Sequence, residues 1–313
     1  MTQLALQPGQ PGLPQLRVDR VRRRREQVVS GVLLVAAFTS IVVSAFIIYT
    51  LLFKAIEFLS LIDLSTLVAD GWFPRRGEFD LLTVILGSVL VAGVALLVAA
   101  PIGLASAIYL SEYASERTRR VVKPVLEILA GIPSVVLGFF ALTFINPRIV
   151  QEILPNAAGF NLLVAGLAVG ILTIPLVASI SEDAMKAVPR SLREAAYGLG
   201  ARRVTTSLRV VFPAAISGIV AALIIALSRA IGETMIVSIA AGGVGGSLRT
   251  VDVLGPGQTI TAAMTALASG SDQVRAGDGA YESLFFLGLM LFLITFGLNV
   301  LGDAFVRRTR QRY

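Results

Sequence analysis

The stretch LSRAIGETMIV, residues 227–237, sets Arg229 and Glu233 four positions apart in a run that is otherwise hydrocarbon from Pro213 to Ala241. On a helix that spacing puts both side chains on one face, one turn apart, where they can pair. A lone Arg at mid-membrane costs at least about 2.5 kcal/mol even on the lenient insertion scale, so the two charges are expected to face protein or water rather than lipid. With the helix entered near Ala214, Arg229 stands roughly 22 Å along it at 1.5 Å per residue. A guanidinium at that depth has two uses. It can offer its planar fork of donors to an oxyanion, with Glu233 holding it when no anion is present, or it can be half of an ion pair that locks two helices together.

A second candidate is ISEDAMKAVPRSLREAAYGLGARRVTTSLRVVFP, residues 180–213. A connection between two apolar runs needs five or six residues, and this one spends over thirty. Pro189 suits the first turn of a helix with body SLREAAYGL, Gly200 is placed to end it, and ARRVTTSLRVV makes a second helical stretch that Pro213 closes. Two short helices at a Gly bend form a compact knob. Ala195 and Ala196 give it a flat side that another protein can approach closely. The alternative is an amphipathic loop lying on the membrane.

Other chemistry is excluded early. The chain has no cysteine and no histidine, which removes disulfides, thiol nucleophiles, imidazole bases and the usual zinc ligands. No catalytic residue and no metal site is expected. No GxxxxGK[ST] stretch occurs either: the lysines are Lys54, Lys123 and Lys186, and none follows a glycine, so ATP is not held by that route.

The elements that must position these groups lie in a membrane. Of 313 residues 55% are hydrophobic and 15% charged, and the mean hydropathy is +0.80, against about 25% charged residues in a soluble domain. Six runs approach the roughly 20 apolar residues that a span requires: 28–53, 81–110, 121–145, 161–181, 213–242 and 281–305. RVDRVRRRREQ precedes the first, which is too long for a signal core and reads as an uncleaved anchor. With the N-terminus inside, the cytoplasmic segments hold 20 of the 27 basic residues: six before Gln27, four at residues 117–123, six between Lys186 and Arg209, and four from Arg307 to Arg312. Six lie in the outside loops. That asymmetry puts both termini in the cytoplasm and accounts for the net charge of +7 without nucleic acid.

The remaining segments carry weaker signals. Residues 1–27 form a basic tail expected to be disordered, with Gln- and Pro-rich residues 1–16 too poor in apolar content to fold alone. Trp72, the single tryptophan, reads as an interfacial anchor in the loop 54–80. The loop 243–280 is Gly-rich around one short helix near residues 260–268. Glu127, four residues past Lys123, reads as half of a snorkelling pair.

Permease subunits of type I ATP-binding-cassette importers carry Glu-Ala-Ala, three residues, Gly, nine residues, a hydrophobic residue, one more, and a hydrophobic-Pro pair. This chain resembles them, with Glu194, Ala195, Ala196, Gly200, Val210, Val211, Phe212 and Pro213 at that spacing. Val210 and Phe212 stand where Ile and Leu are commoner. KPVLEILAGIPSVVLGFFAL, PIGLASAIYLSEYA and SRAIGET resemble the phosphate-specific importers' permeases, and the outside loop before the last span is closer to their C-type subunit. The resemblance covers roughly residues 80–310. It implies an all-α integral membrane protein of six transmembrane helices with the MetI-like fold, whose permease domain runs over 28–313. The loop 182–212 would be the coupling loop, with Glu194, Ala195, Ala196 and Gly200 engaging the ATPase, and Arg229 and Glu233 would line the substrate pathway. It implies a second, A-type permease, an ATPase dimer that binds ATP and Mg²⁺, and an extracytoplasmic phosphate-binding protein as partners, with no cofactor in this chain. The location would be the bacterial inner membrane. A permease for sulfate, molybdate or phosphonate is the nearest alternative. A stand-alone secondary transporter is a further one, though it would need ion-coupling groups that these spans scarcely offer.

Overall fold

A computed structural model describes residues 20–243, 245–270 and 279–309. The expected tail ahead of Arg20 lies outside them. Among the described residues five helices are long and apolar enough to cross a membrane, or six if a bent pair counts as one span.

Helix α1, Arg20–Leu61, takes the basic segment into its first turns, so residues 20–27, expected to be disordered, are helical. Residues 25–49 are exposed on every side, and the apolar ones among them give α1 the all-round hydrophobic surface of a helix solvated by lipid. The helix as far as Thr50 is one structural unit, and the chain from Leu51 onward is the other.

The second unit is built around two helices. Asp80 caps α2, Leu81–Ile108, by accepting from the Leu82 N–H, and Asn161 caps α5, Leu162–Lys186, by accepting from the Val164 N–H at 2.8 Å. Between them lie α3, Glu116–Ala130, and α4, Ser134–Phe140, which runs on through π-helical turns to Ile153. α2 and α5 pack closely because their contact is made of small residues. A Cβ added at Gly103 would fall 2.7 Å from the Val177 Cβ, and one at Gly170 would fall 2.9 Å from the Ala95 carbonyl oxygen. With no hydrophobic drive between helices in lipid, such close backbone approach is what holds spans together.

Beyond α5 come α6, Arg190–Gly198, then a helical run α7, Arg203–Ala214, then α8, Ile216–Ile231. α7 and α8 meet at a 70° bend. α9, Met235–Ala240, α10, Ile260–Ala268, and α11, Ala280–Thr309, complete the unit. A small antiparallel sheet of order β2-β1-β3, formed by β1, Gly71–Phe73, β2, Glu78–Phe79, and β3, Ser247–Leu248, sits beside the start of α2. The bundle thus has a sheet end and, where α2 and α5 finish, a knob end.

Three further expectations are corrected. The third span is 134–153 rather than 121–145. The apolar count ran on from VVKPVLEIL, but that segment is an amphipathic helix, α3, that stops at Gly131, and Pro133 starts a new one. The fifth span is not one helix over 213–242: it turns at Ala215 and breaks again at Gly232. Trp72 is no interfacial anchor. It is fully buried, opposite Phe79 in the sheet, with its ring edge-on to Phe79 at 5.7 Å. The short helix near residues 260–268 is α10.

The α2–α5 contact yields a test. A Cβ at Gly166 would lie 2.6 Å from the Val94 Cβ and 3.0 Å from the Val91 carbonyl, so Gly166→Val should overpack the interface and cost about 1–3 kcal/mol. The expected readout is a lower melting temperature in detergent; an unchanged one contradicts the packing account.

Candidate functional site

The break after α8 decides whether Arg229 and Glu233 can pair. Gly232 is the C-cap of α8, donating to the Ser228 carbonyl at 3.2 Å, so Glu233 lies outside the helix and the one-turn geometry expected of the pair is lost. The Glu233 carboxylate instead accepts from the Met235 and Ile236 N–H groups, at 3.2 and 3.4 Å, and caps α9. Its carbonyl accepts from the Thr261 hydroxyl at 2.6 Å, which fixes the break against α10. Arg229 is exposed, and among the described residues no carboxylate lies within ion-pair distance of it. The predicted neutralising pair is therefore absent, and the guanidinium keeps its donors, near the end of α8 away from the bend. Ser228, next to it, has its hydroxyl 3.5 Å from Asn299 Oδ1 on α11.

The knob is built largely as expected. Pro189 is the N-cap residue of α6, and Gly200 follows its end in the left-handed region at φ +77°. The Gly200 N–H donates to the Tyr197 carbonyl and the Ala201 N–H to that of Ala196, the paired bonds of a Schellman motif. The two alanines do not share one outer face. Ala195 is exposed with Glu194, but Ala196 is turned inward and buried. The outermost apolar group is instead Leu199, 90% exposed at the turn, with Tyr197 and Gly198 also exposed beside it.

What holds the knob was not foreseen. Arg193, between Leu192 and Glu194, reaches 81 positions back to Glu112 and donates from Nη2 to Oε1 at 2.9 Å, with Nε within 3.3 and 3.4 Å of the two oxygens. It also donates to the Val188 and Met185 carbonyls, at 2.7 and 2.8 Å, where α5 ends. Glu112 is buried, within the π-helical turn Tyr109–Tyr113 that closes α2. A like arrangement holds α3: Arg119 donates to the Leu110 carbonyl at 3.1 and 2.6 Å and lies 3.4 Å from Glu182, which is wholly buried on the last turns of α5. Lys123 and Lys186 also pair with Glu182. The expected Lys123–Glu127 pair gives way to Lys123 contacts with Glu182 and Asp183.

The sheet end has its own buried pair. Arg249, after β3, grips Asp80 with two bonds of 3.0 Å and donates to the Ala69 carbonyl, while Thr83 donates to Asp80 at 2.6 Å. Burial alone would raise the Asp80 carboxyl. The bonds from Arg249 and Thr83, the Arg249 charge and the Leu82 N–H outweigh it and hold the group below the usual carboxylate range.

With this geometry in place, the likenesses are informative. A family model described as a binding-protein-dependent transport system inner membrane component matches residues 99–311. The chain is 31% identical over 288 residues to a probable ABC transporter permease protein of Bacillus subtilis, covering 88% of this chain and 89% of that one. It is also 31% identical to the phosphate transport system permease protein PstC of Mesorhizobium japonicum, over 81% of each. Among solved structures, a chain of a bacterial ABC transporter involved in alginate import matches with a TM-score of 0.65 at 15% identity, over 94% of this chain and all of that one; this likeness speaks to the fold.

The Asp80–Arg249 pair predicts an acid limb. A carboxyl whose folded value is depressed stabilises fully above its unfolded value, near 4, and loses that contribution as the pH falls through the folded value. Asp80→Asn should lower the stability at pH 7 by about 1–3 kcal/mol and flatten the decline below about pH 4. Thermal melts in detergent across pH check this; an unaltered acid limb contradicts it.

Proposed function

The chain belongs to the inner membrane components of binding-protein-dependent transport systems, and from that premise we propose that it is a permease subunit of an ATP-driven phosphate importer. The observation that carries this reading is the knob: a short helix with the Glu194-Ala195-Ala196 and Gly200 spacing, projecting an exposed leucine from the end of a membrane-spanning bundle. A surface with one bare apolar tip beside a carboxylate suits insertion into a groove on another protein. In this reading that protein is an ATPase subunit, which binds the nucleotide and Mg²⁺. This chain makes and breaks no covalent bond. The knob end then faces the cytoplasm, as the distribution of basic residues expects, and the sheet end faces an extracytoplasmic binding protein.

Arg229 and the break beside it form the substrate's half of the device. An exposed guanidinium on an apolar helix is costly against lipid, so the face that carries it is one that a second permease subunit and an aqueous path cover. Its five N–H donors match the oxygens of phosphate, and the fork gives two parallel bonds to one anion. Glu233, spent on capping α9, leaves the cation unneutralised and therefore available. It acts as a positioning residue at the break. Passage then needs the two ends of the bundle to open in turn, with the knob drawn by the ATPase and the anion handed on across Arg229. The relatives named for phosphate transport favour that anion over sulfate, molybdate or phosphonate.

Two outcomes are expected in the assembled complex in vesicles. Arg229→Ala should retain the ATPase subunit and lose at least about tenfold in ATP-driven phosphate uptake, the effect of removing a charge-assisted bond of about 1.5–3 kcal/mol; ordinary uptake dismisses the pathway role. Leu199→Asp or Glu194→Lys should leave the permease folded and weaken retention of the ATPase subunit in co-purification, by about tenfold or more for the leucine that docking would bury. Unchanged retention removes the docking role of the knob.

A further inference from the structure

The turn Tyr109–Tyr113 at the end of α2 is gripped at four consecutive residues by different parts of the chain. Leu110 gives its carbonyl to Arg119 of α3. Ser111 donates to the Met185 sulfur of α5 at 3.3 Å. Glu112 holds Arg193 of α6. Tyr113 lies under the Arg203 guanidinium of α7, 5.1 Å from its ring centre. The turn is π-helical, closed by the Ala114 N–H on the Tyr109 carbonyl at 2.8 Å, and this wider winding is a common site of function in helices.

Among these contacts the one between Arg193 and Glu112 is the strongest mechanical link. The Glu112 side chain is 4% exposed and that of Arg193 17%, so neither charge is bathed in water, and breaking the pair leaves an uncompensated buried charge. One guanidinium joins three elements: the α6 helix that bears it, the carboxylate at the end of α2, and two carbonyls at the end of α5. Since α2 and α5 are packed backbone to backbone at glycines, a displacement of α6 that keeps these bonds must carry both spans with it.

We propose that the Arg193–Glu112 ion pair is the strut through which movement of the knob is transmitted to α2 and α5, so that both are positioning residues for transport rather than parts of the docking surface. Nothing in the Glu-Ala-Ala spacing assigns this role. The inference rests on the importer reading above. It adds that docking and coupling are separable: Leu199 and Glu194 face outward to be gripped, whereas Arg193, one position before Glu194, faces inward to pull.

The test uses the full complex in vesicles with its ATPase and phosphate-binding protein, and reads phosphate accumulated per ATP hydrolysed. Arg193→Lys keeps the charge and loses the fork; Glu112→Gln keeps the shape and loses the charge. Each should keep the ATPase subunit bound at the wild-type level and still hydrolyse ATP, with phosphate accumulated per ATP falling by at least about tenfold, the consequence of losing a buried charge-assisted bond. A ratio equal to wild type overturns the proposal. So does, in Arg193→Lys, which leaves neither charge unpaired, a loss of uptake that merely follows a loss of bound ATPase or of melting temperature, since that marks a structural role. A wild-type complex that holds no ATPase subunit would instead refute the importer reading itself, so the two failures are told apart.

Discussion

A carboxylate taken out of water must be met by cations or by hydrogen-bond donors, and the knob end of this protein is organised around two that are. Glu112 closes α2 and Glu182 stands on the last turns of α5, both buried. Each is met by an arginine from a neighbouring short helix, Arg193 of α6 and Arg119 of α3. Both arginines also spend N–H groups on carbonyls where the spans end, Met185 and Val188 in one case and Leu110 in the other. Cations at helix C-termini are favoured by the helix dipole as well. The short helices are therefore tied to the spans by charge as well as by apolar contact, Leu192 of α6 packing against the cluster of Ala107, Met185 and Val188, which lets a largely exposed knob keep a defined place.

The same rule, applied at the other side of the bundle, gives the opposite result. The Glu233 carboxylate is satisfied by the backbone of α9, so it does not neutralise Arg229. A bundle that pairs its acids with arginines at the knob end and at Asp80 leaves this one guanidinium exposed on an apolar helix. The contrast separates two settings of arginine within one chain: a buried fork that fixes geometry, and an exposed fork with open donors, to which the proposed pathway gives a passing anion.

Local signals were legible where local physics governs. Pro189 and Gly200 marked the bounds of α6 because one lacks a donor and the other accepts φ near +77°. The Asp80 cap and the small helix at Ile260 were within reach of the same rules. The Arg229–Glu233 spacing misled because it presumes an unbroken helix, and Gly232 together with a carboxylate able to cap the next turn gave the backbone a competing arrangement. The third span was displaced because an amphipathic helix with Val121, Val125 and Ile128 on its exposed side looks apolar when counted by windows. Arg193 was invisible as a functional residue for another reason. Its partner is 81 positions away, and only the packing of α2 on α5 brings the two together. Trp72, expected at a membrane surface, is buried by a strand pairing that three residues of sequence do not announce.

The claim on which the account turns is that α6 and the end of α2 move as one body. The chain has no native cysteine, so paired spin labels placed at Tyr197 on α6 and Tyr109 at the end of α2, both exposed, report their separation directly in the assembled complex. Between the resting and the nucleotide-trapped states the account predicts a change of less than about 2 Å, even as transport proceeds. A change of about 5 Å or more, the scale of one helical turn slipping past another, contradicts it.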